Sequence, residues 1–191
     1  MTMKSLRAAG VLGWIFLLQI SFAQTSPSRW DAADSLIVRL PPSVFHTLPA
    51  AIVRYLEAGG YTIPQCWCDT SPHNLVTGEF FEKSRTDWAV LASKKRISTI
   101  LVFRNASDTS PARLGEMADR SFLQSLGNGR IGFSRVIRVA VKASLEKFRV
   151  KRSTPASTSF NHDGIEDSFI QKGSVRYYFD TGKWTTLPGA D

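Results

Sequence analysis

The sequence predicts a single α+β domain: a mainly antiparallel sheet built from hairpins, with about three helices packed on one face. Three observations predict it. Residues 86–93 and 97–104 are rich in β-branched and apolar residues and flank a short polar tip. Asp180-Thr181-Gly182 sits between two further strand-like runs, a strong hairpin signal. Apolar residues recur at helical spacing in residues 48–60 and 138–148.

Residues 24–35, QTSPSRWDAADS, read as a loose leader with Trp30 as an anchor. Residues 36–45 give a short edge strand that ends at Pro41 and Pro42. A helix is expected over residues 48–60. Pro49 sits in its first turn, where a missing N–H is harmless. Ile52, Tyr55 and Leu56 share a face, and Gly59 and Gly60 stop it. Residues 74–81, 86–93 and 97–104 read as strands, the last two joined across Lys94, Lys95 and Arg96. A loop from Asn105 leads into a helix expected over residues 112–126, with Leu114, Met117 and Phe122 as its apolar positions. Gly127-Asn128-Gly129 turns the chain into a strand over residues 130–137. A helix follows over residues 138–148, with Val141, Leu145 and Phe148 at i, i+4 and i+7. Residues 151–164 form a polar surface loop, residues 165–171 a short helix after an Asp-Gly turn, and residues 173–187 the last hairpin.

The N-terminus carries a processing signal. Lys4 and Arg7 precede the apolar run AAGVLGWIFLLQI, and Ser21-Phe22-Ala23 places small residues three and one before a cut after Ala23. The run is shorter than the roughly 20 residues that a bilayer span needs. A signal peptide is therefore expected over residues 1–23, with one α+β domain over residues 24–191. The location expected is secreted or periplasmic, without stable membrane insertion. The formal charge of +8 falls by two when Lys4 and Arg7 leave. The remaining basic charges are scattered as on an ordinary soluble surface, and no nucleic-acid partner is expected. An anionic envelope polymer or a protein is the partner class considered.

The mature chain has two cysteines, Cys66 and Cys68 in QCWCD. Export permits a disulfide, but a bridge across one residue is geometrically demanding and closes too small a loop to stabilise much. With Asp69 and His73 nearby, Cys66, Cys68 and His73 form a candidate set for zinc or copper. The spacing is shorter than zinc sites use, so the bland alternatives are a bridge or two quiet thiols.

Two acidic loops offer other chemistry. EFFEKSRTD, followed by the strand WAVL, places Glu79 and Asp87 at the outer positions of a D-x-N-x-D-G-x-x-D calcium loop. It resembles the loop-then-strand unit of FG-GAP or VCBS repeats. Phe81, Lys83 and Arg85 occupy the inner ligand positions, so the preferred reading is a loop that keeps the bend without the ion, with Lys83 or Arg85 pairing with the acids. The second loop, NHDGIED, puts Asn161, Asp163 and Asp167 at ligand spacing after Ser159. Its plain alternative is a turn that opens a helix with favourable acids.

A catalytic set is thinly represented. There are three histidines, no G-x-S-x-G elbow and no phosphate-binding glycine loop placed between a strand and a helix. Asp87, His162 and Asp163 are the catalytic candidates, and Glu79, Glu82, Glu166 and Asp167 the other carboxylates available for paired-acid hydrolysis. No cofactor is expected. Trp67, Trp88 and Trp184 are candidates for a binding surface, although aromatics are more often core.

The order of TIPQ, GEF, TDWAVL, ISTILVF, IGFSR, HDGIED and YYFDTGKWTTLPGAD resembles a family of small secreted bacterial proteins with no assigned activity. The resemblance implies a bacterial exported domain and transfers no site residue. The function expected is an exported, non-enzymatic binding module. The alternatives are a hydrolase acting on a cell-envelope or extracellular polymer through the acidic loops, and a calcium-stabilised module.

Overall fold

The computed structural model describes residues 28–151 and 160–189. The signal peptide expected over residues 1–23 lies outside them, as does Ser159. No helix among the described residues is long and apolar enough to cross a membrane.

The chain opens with helix α1 (Arg29–Ser35), where a loose leader was expected. Ser28 caps it: its hydroxyl accepts from the Asp31 N–H while the Asp31 carboxylate accepts from the Ser28 N–H. Trp30 anchors it against the core as expected. Strand β1 (Arg39–Leu40) ends at Pro41, and helix α2 (Ala50–Ala58) follows a short 3₁₀ turn. Pro49 caps α2 instead of lying within it, and Gly59 closes it. Ile52 and Leu56 are its buried face. Strand β2 (Ile63–Pro64) then pairs with β1.

Two four-stranded antiparallel sheets follow, where one was expected. The first has the order β3-β4-β5-β6, from β3 (Leu75–Gly78), β4 (Asp87–Lys94), β5 (Ile97–Phe103) and β6 (Ala112–Ala118). Lys95 and Arg96 turn β4 into β5 with positive φ at both positions, as a two-residue hairpin with the sheet's twist requires. Residues 112–126 are not a helix. They make edge strand β6, a 3₁₀ turn and strand β7 (Leu123–Ser125), which pairs with β8 (Ile131–Phe133).

The second sheet has the order β12-β11-β10-β9. Its strands are β9 (Arg135–Ala140), β10 (Gly164–Phe169), β11 (Gly173–Asp180) and β12 (Lys183–Pro188). Residues 165–171 are thus mainly strand, not helix, and β10 lies between β9 and β11. The single strand expected over residues 130–137 is two, β8 and β9, parted at Ser134 and belonging to different sheets; β9 runs on to Ala140, and helix α3 starts late, at Lys142–Lys151.

The sheets face each other. Ala89 and Leu91 of β4, Ile100 and Val102 of β5, Ile137 of β9 and Ile165 of β10 share one apolar cluster. The alternate residues Val90, Ala92, Leu101 and Phe103 point the other way and meet Ile52 and Leu56 of α2. On the outer side of the second sheet, Leu145 of α3 packs with Ala140, Phe160 and Tyr178. The helices therefore cover different faces instead of one. Val141 is half exposed, and the Phe148 side chain lies outside the described residues. The fold is mostly antiparallel sheet with three short helices, α+β in the broad sense.

Polar groups join the layers. Arg135 of β9 is fully buried between the sheets. Its Nε and Nη2 donate to the two carboxylate oxygens of Asp167 at 2.9 and 2.7 Å. Nη1 donates to the Ser98 hydroxyl at 2.8 Å and Nη2 to the Gly115 carbonyl at 2.5 Å, both on the opposite sheet. A bulge in β6 makes the second contact possible, since the register against β5 shifts between Ser98 and Ile100. Gly115 lies in that bulge at φ +57°, and a Cβ there would stand 2.6 Å from the Tyr177 hydroxyl and 2.8 Å from Arg135 Nη2. The Arg135 guanidinium also lies 4.4 Å from the Phe122 ring centroid.

Asn74 makes the second link. It is buried at φ 72°, and its side-chain amide takes the place of a peptide group. Its Nδ2 donates to the carbonyls of Pro64 and Arg135, its Oδ1 accepts from the Ile137 N–H, and its backbone carbonyl accepts from the Leu91 N–H.

Arg135→Ala is expected to destabilise the fold by about 3–5 kcal/mol in a urea titration, because Asp167 is left charged and buried. The double variant Arg135→Met, Asp167→Leu should recover most of that loss. A single-variant loss under about 1 kcal/mol, the range of exposed pairs, contradicts the assignment.

Candidate functional site

The two acidic loops lie side by side, since the Asp163 N–H donates to the Glu79 carbonyl at 3.0 Å. They meet through their backbones, and their side chains turn to separate partners. Asp87 is fully buried. One of its oxygens accepts from the N–H groups of Phe80 and Phe81 at 3.0 and 2.9 Å, and the other from Arg85 Nε at 3.1 Å. Arg85 also pairs with Glu82. The basic partner of the loop is thus Arg85, and it serves Asp87 and Glu82. Burial pushes the Asp87 carboxyl above its ordinary pKa, against the Phe81 N–H, Arg85 and the Phe80 N–H.

In the second loop, an Asp163 oxygen accepts from the N–H of Lys142, the first residue of α3. His162 is stacked on Tyr178 with ring centroids 4.5 Å apart. The Tyr178 hydroxyl accepts from the Asn161 N–H. Burial raises the Tyr178 pKa, opposed by hydrogen bonds from the Asn161 and His162 backbone. Asp167 is held by Arg135, so Asp163 and Asp167 are drawn to different partners. Glu166 pairs with Arg176. These acids of the second loop build a helix start and two ion pairs.

The structure gathers chemistry elsewhere. Gln65 closes the neck of a loop over residues 65–73: its side-chain oxygen accepts from the His73 N–H at 2.9 Å and its amide donates to the His73 carbonyl at 3.1 Å. Asn74 fixes the same neck to Pro64. Inside the loop, Cys66 and Cys68 are joined as a disulfide, with Cα atoms 5.2 Å apart, an ordinary bridging separation. The Cys66 N–H donates to His73 Nε2 at 2.7 Å, so the imidazole proton sits on Nδ1 and is directed at the Ser71 carbonyl. The Cys68 N–H donates to Cys66 Sγ at 3.2 Å. Cys66, Cys68 and His73 bring their ligand atoms within 4.8 Å of one another. Bridged sulfurs are not thiolates, so only the reduced pair could offer a soft-metal donor set.

This loop forms one wall of an open groove of about 490 Å³. Cys66, Trp67 and Asp69 to Pro72 line that wall. Ile131 to Phe133 of β8 line the floor, and residues from Ala33 to Val44 the far side. Leu36, Val38, Trp67 and Val44 are 80%, 59%, 42% and 37% exposed, and all four border the groove. Trp67 is held firmly: its backbone N–H donates to the Phe133 carbonyl and its indole N–H to the Ser134 hydroxyl at 2.9 Å. Its ring lies on Gly132, where a Cβ would stand 2.9 Å from Cδ1. Trp88 and Trp184 pack into the two main clusters instead.

The far wall is tied down by charge. Asp119, fully buried, accepts from Arg39 Nη2 and the Ser93 hydroxyl, each at 2.7 Å. Arg39 and Arg96 hold Asp34 at the end of α1. Sequence reasoning singled out Cys66, Cys68, His73 and Trp67, but not the groove. Leu36, Val38 and Val44 looked like strand and turn residues, and only the three-dimensional approach of residues 33–44 to β8 brings them together.

No family model matches the chain, and no curated protein or solved structure is significantly similar to it.

The Asp87 environment sets a pH dependence. Because burial raises its pKa, the folded chain holds this proton more tightly than the unfolded chain. The contribution to stability is full below the ordinary Asp pKa and is lost as pH rises through the raised value. The unfolding free energy of the wild type, relative to Asp87→Asn, is expected to fall as pH rises across that window. A rise in the same denaturant titrations contradicts it.

Proposed function

We infer that this chain is an exported binding domain, and that its site is the groove at Trp67, which takes an apolar segment of a protein partner. One observation carries the reading: four large apolar side chains that are more than a third exposed converge on one groove. Exposed apolar side chains scattered singly need no explanation, whereas a contiguous group in a concavity marks a binding site. The processing signal in residues 1–23 supports export.

The lining also separates the partner classes. It contains Asp69 and no lysine or arginine. An anionic polymer would meet no cation there, while an apolar segment would remove Leu36, Val38, Val44 and Trp67 from water at roughly 25 cal/mol per Å².

The test is a calorimetric titration of the protein with a short cysteine-free peptide rich in Leu, Val and Phe. Binding is expected, and Val38→Asp should weaken it at least about tenfold, because an aspartate would be desolvated under the peptide. Val38 is more than half exposed, so this variant keeps the fold. Equal binding by the variant overturns the reading, as does tighter binding of a sulfated polysaccharide that ignores Val38→Asp.

A further inference from the structure

The floor of the groove is the edge of a sheet. Strand β8 pairs with β7 on one side alone. The Ser134 N–H donates to the Phe122 carbonyl, and the Leu126 N–H to the Arg130 carbonyl. Backbone groups alternate in direction along an antiparallel strand, so Arg130, Gly132 and Ser134 face β7 while Ile131 and Phe133 face away. The Phe133 carbonyl does point that way: it accepts from the N–H of Trp67, in the groove wall, at 3.0 Å. The Ile131 N–H and C=O point to the same side and have no protein partner among the described residues. Covering such a pair at the bottom of an apolar groove is costly unless hydrogen bonds replace its water. Both faces of this edge are apolar. Trp67 lies over Gly132 on one of them. The side chains of Ile131 and Phe133 take the other, and Ala33 and Ile37, which pack into the same cluster, also line the groove.

We propose that the groove takes its occupant as an added β-strand on the free edge of β8, and so selects an extended apolar segment over an amphipathic helix. The proposal rests on the groove reading above and names the backbone form of the occupant. An extended chain carries unpaired N–H and C=O groups, and one client residue opposite Ile131 exchanges two hydrogen bonds with it. A helix has spent the same groups internally and would cover the Ile131 N–H and C=O without pairing them. Trp67 already holds the next place along the edge, at Phe133, so the added strand starts where the chain's own pairing stops. With β8 only Ile131–Phe133, the bound strand is short. Its side chains alternate between the two faces. One set meets the Trp67 ring and the other meets Ala33 and Ile37. This favours a run that is apolar at successive positions and rich in Val and Ile, as in strands covered on both faces. Backbone pairing supplies affinity, and the two apolar faces supply the preference for residue type.

The experiment uses residues 24–191 and three forms of the apolar peptide above. One is unmodified, one is N-methylated at every amide of its apolar run, and one is locked as a helix by a side-chain staple. Affinities are read by calorimetry, and amide hydrogen exchange of the protein is followed by NMR at saturating unmodified peptide. N-methylation removes the donor to the Ile131 carbonyl and is expected to weaken binding at least about tenfold. The stapled helix should bind more weakly than the unmodified peptide. Exchange at the Ile131 amide should slow at least about tenfold on binding. The Gly132 amide, already paired with β7, is the reference and should change much less. Equal binding by the N-methylated peptide, a stapled helix that binds as tightly, or an Ile131 amide that exchanges as fast as before overturns strand addition. In each of those cases the unmodified peptide still binds, and the groove reading stands. If the unmodified peptide does not bind, both fail.

Discussion

A guanidinium cannot be left unpaired between two β-sheets, and the placement of Arg135 governs much of this structure. The cost of burying a charge is several kcal/mol even after relaxation. Here it is offset by two bonds to Asp167 on the neighbouring strand and by acceptors on the opposite sheet, the Ser98 hydroxyl and the Gly115 carbonyl. The pair fixes which face of β9 and β10 turns inward. It requires the bulge and the glycine in β6, and it orients the two sheets. A register slip of one residue in either strand would send a charge to the wrong face.

That constraint reaches the groove through the backbone. Ser134 precedes Arg135, and its hydroxyl and the Phe133 carbonyl hold Trp67. The Arg135 carbonyl accepts from Asn74, which secures the neck of the loop bearing Cys66 and Cys68. The opposite wall hangs on a second buried charge, Asp119, through Arg39. Polar groups inside the fold thus position an apolar site outside it. The groove is held by hydrogen bonds on both sides although little of it is core.

Much of this was legible in the sequence. The hairpin of β4 and β5, the hairpin of β11 and β12, and helix α2 follow from residue type and spacing. The failures have definite causes. Residues 112–126 carry Ala, Arg, Leu, Glu and Met, good helix formers, but as the edge of a sheet they take their conformation from pairing with β5. Gly115 within the run was the warning. In β10 the inward residues are Ile165, Asp167 and Phe169, and an acid in the middle hides the alternation that marks a strand. Its reason, Arg135, lies 32 residues earlier. For α1, the Ser28 and Asp31 spacing was a readable cap that the loose composition concealed. The groove was not legible, because its walls come from three separate stretches.

Buried polar links, and not the Cys66–Cys68 bridge, hold the groove in shape. This is tested most directly by the unfolding free energy of residues 24–191 with the bridge closed and with it reduced. Loop-closure entropy for so short a ring implies a difference below about 2 kcal/mol, with the reduced chain still folding cooperatively. A loss of about 4–5 kcal/mol, or an unfolded reduced chain, would show that the bridge is structural and would contradict the claim.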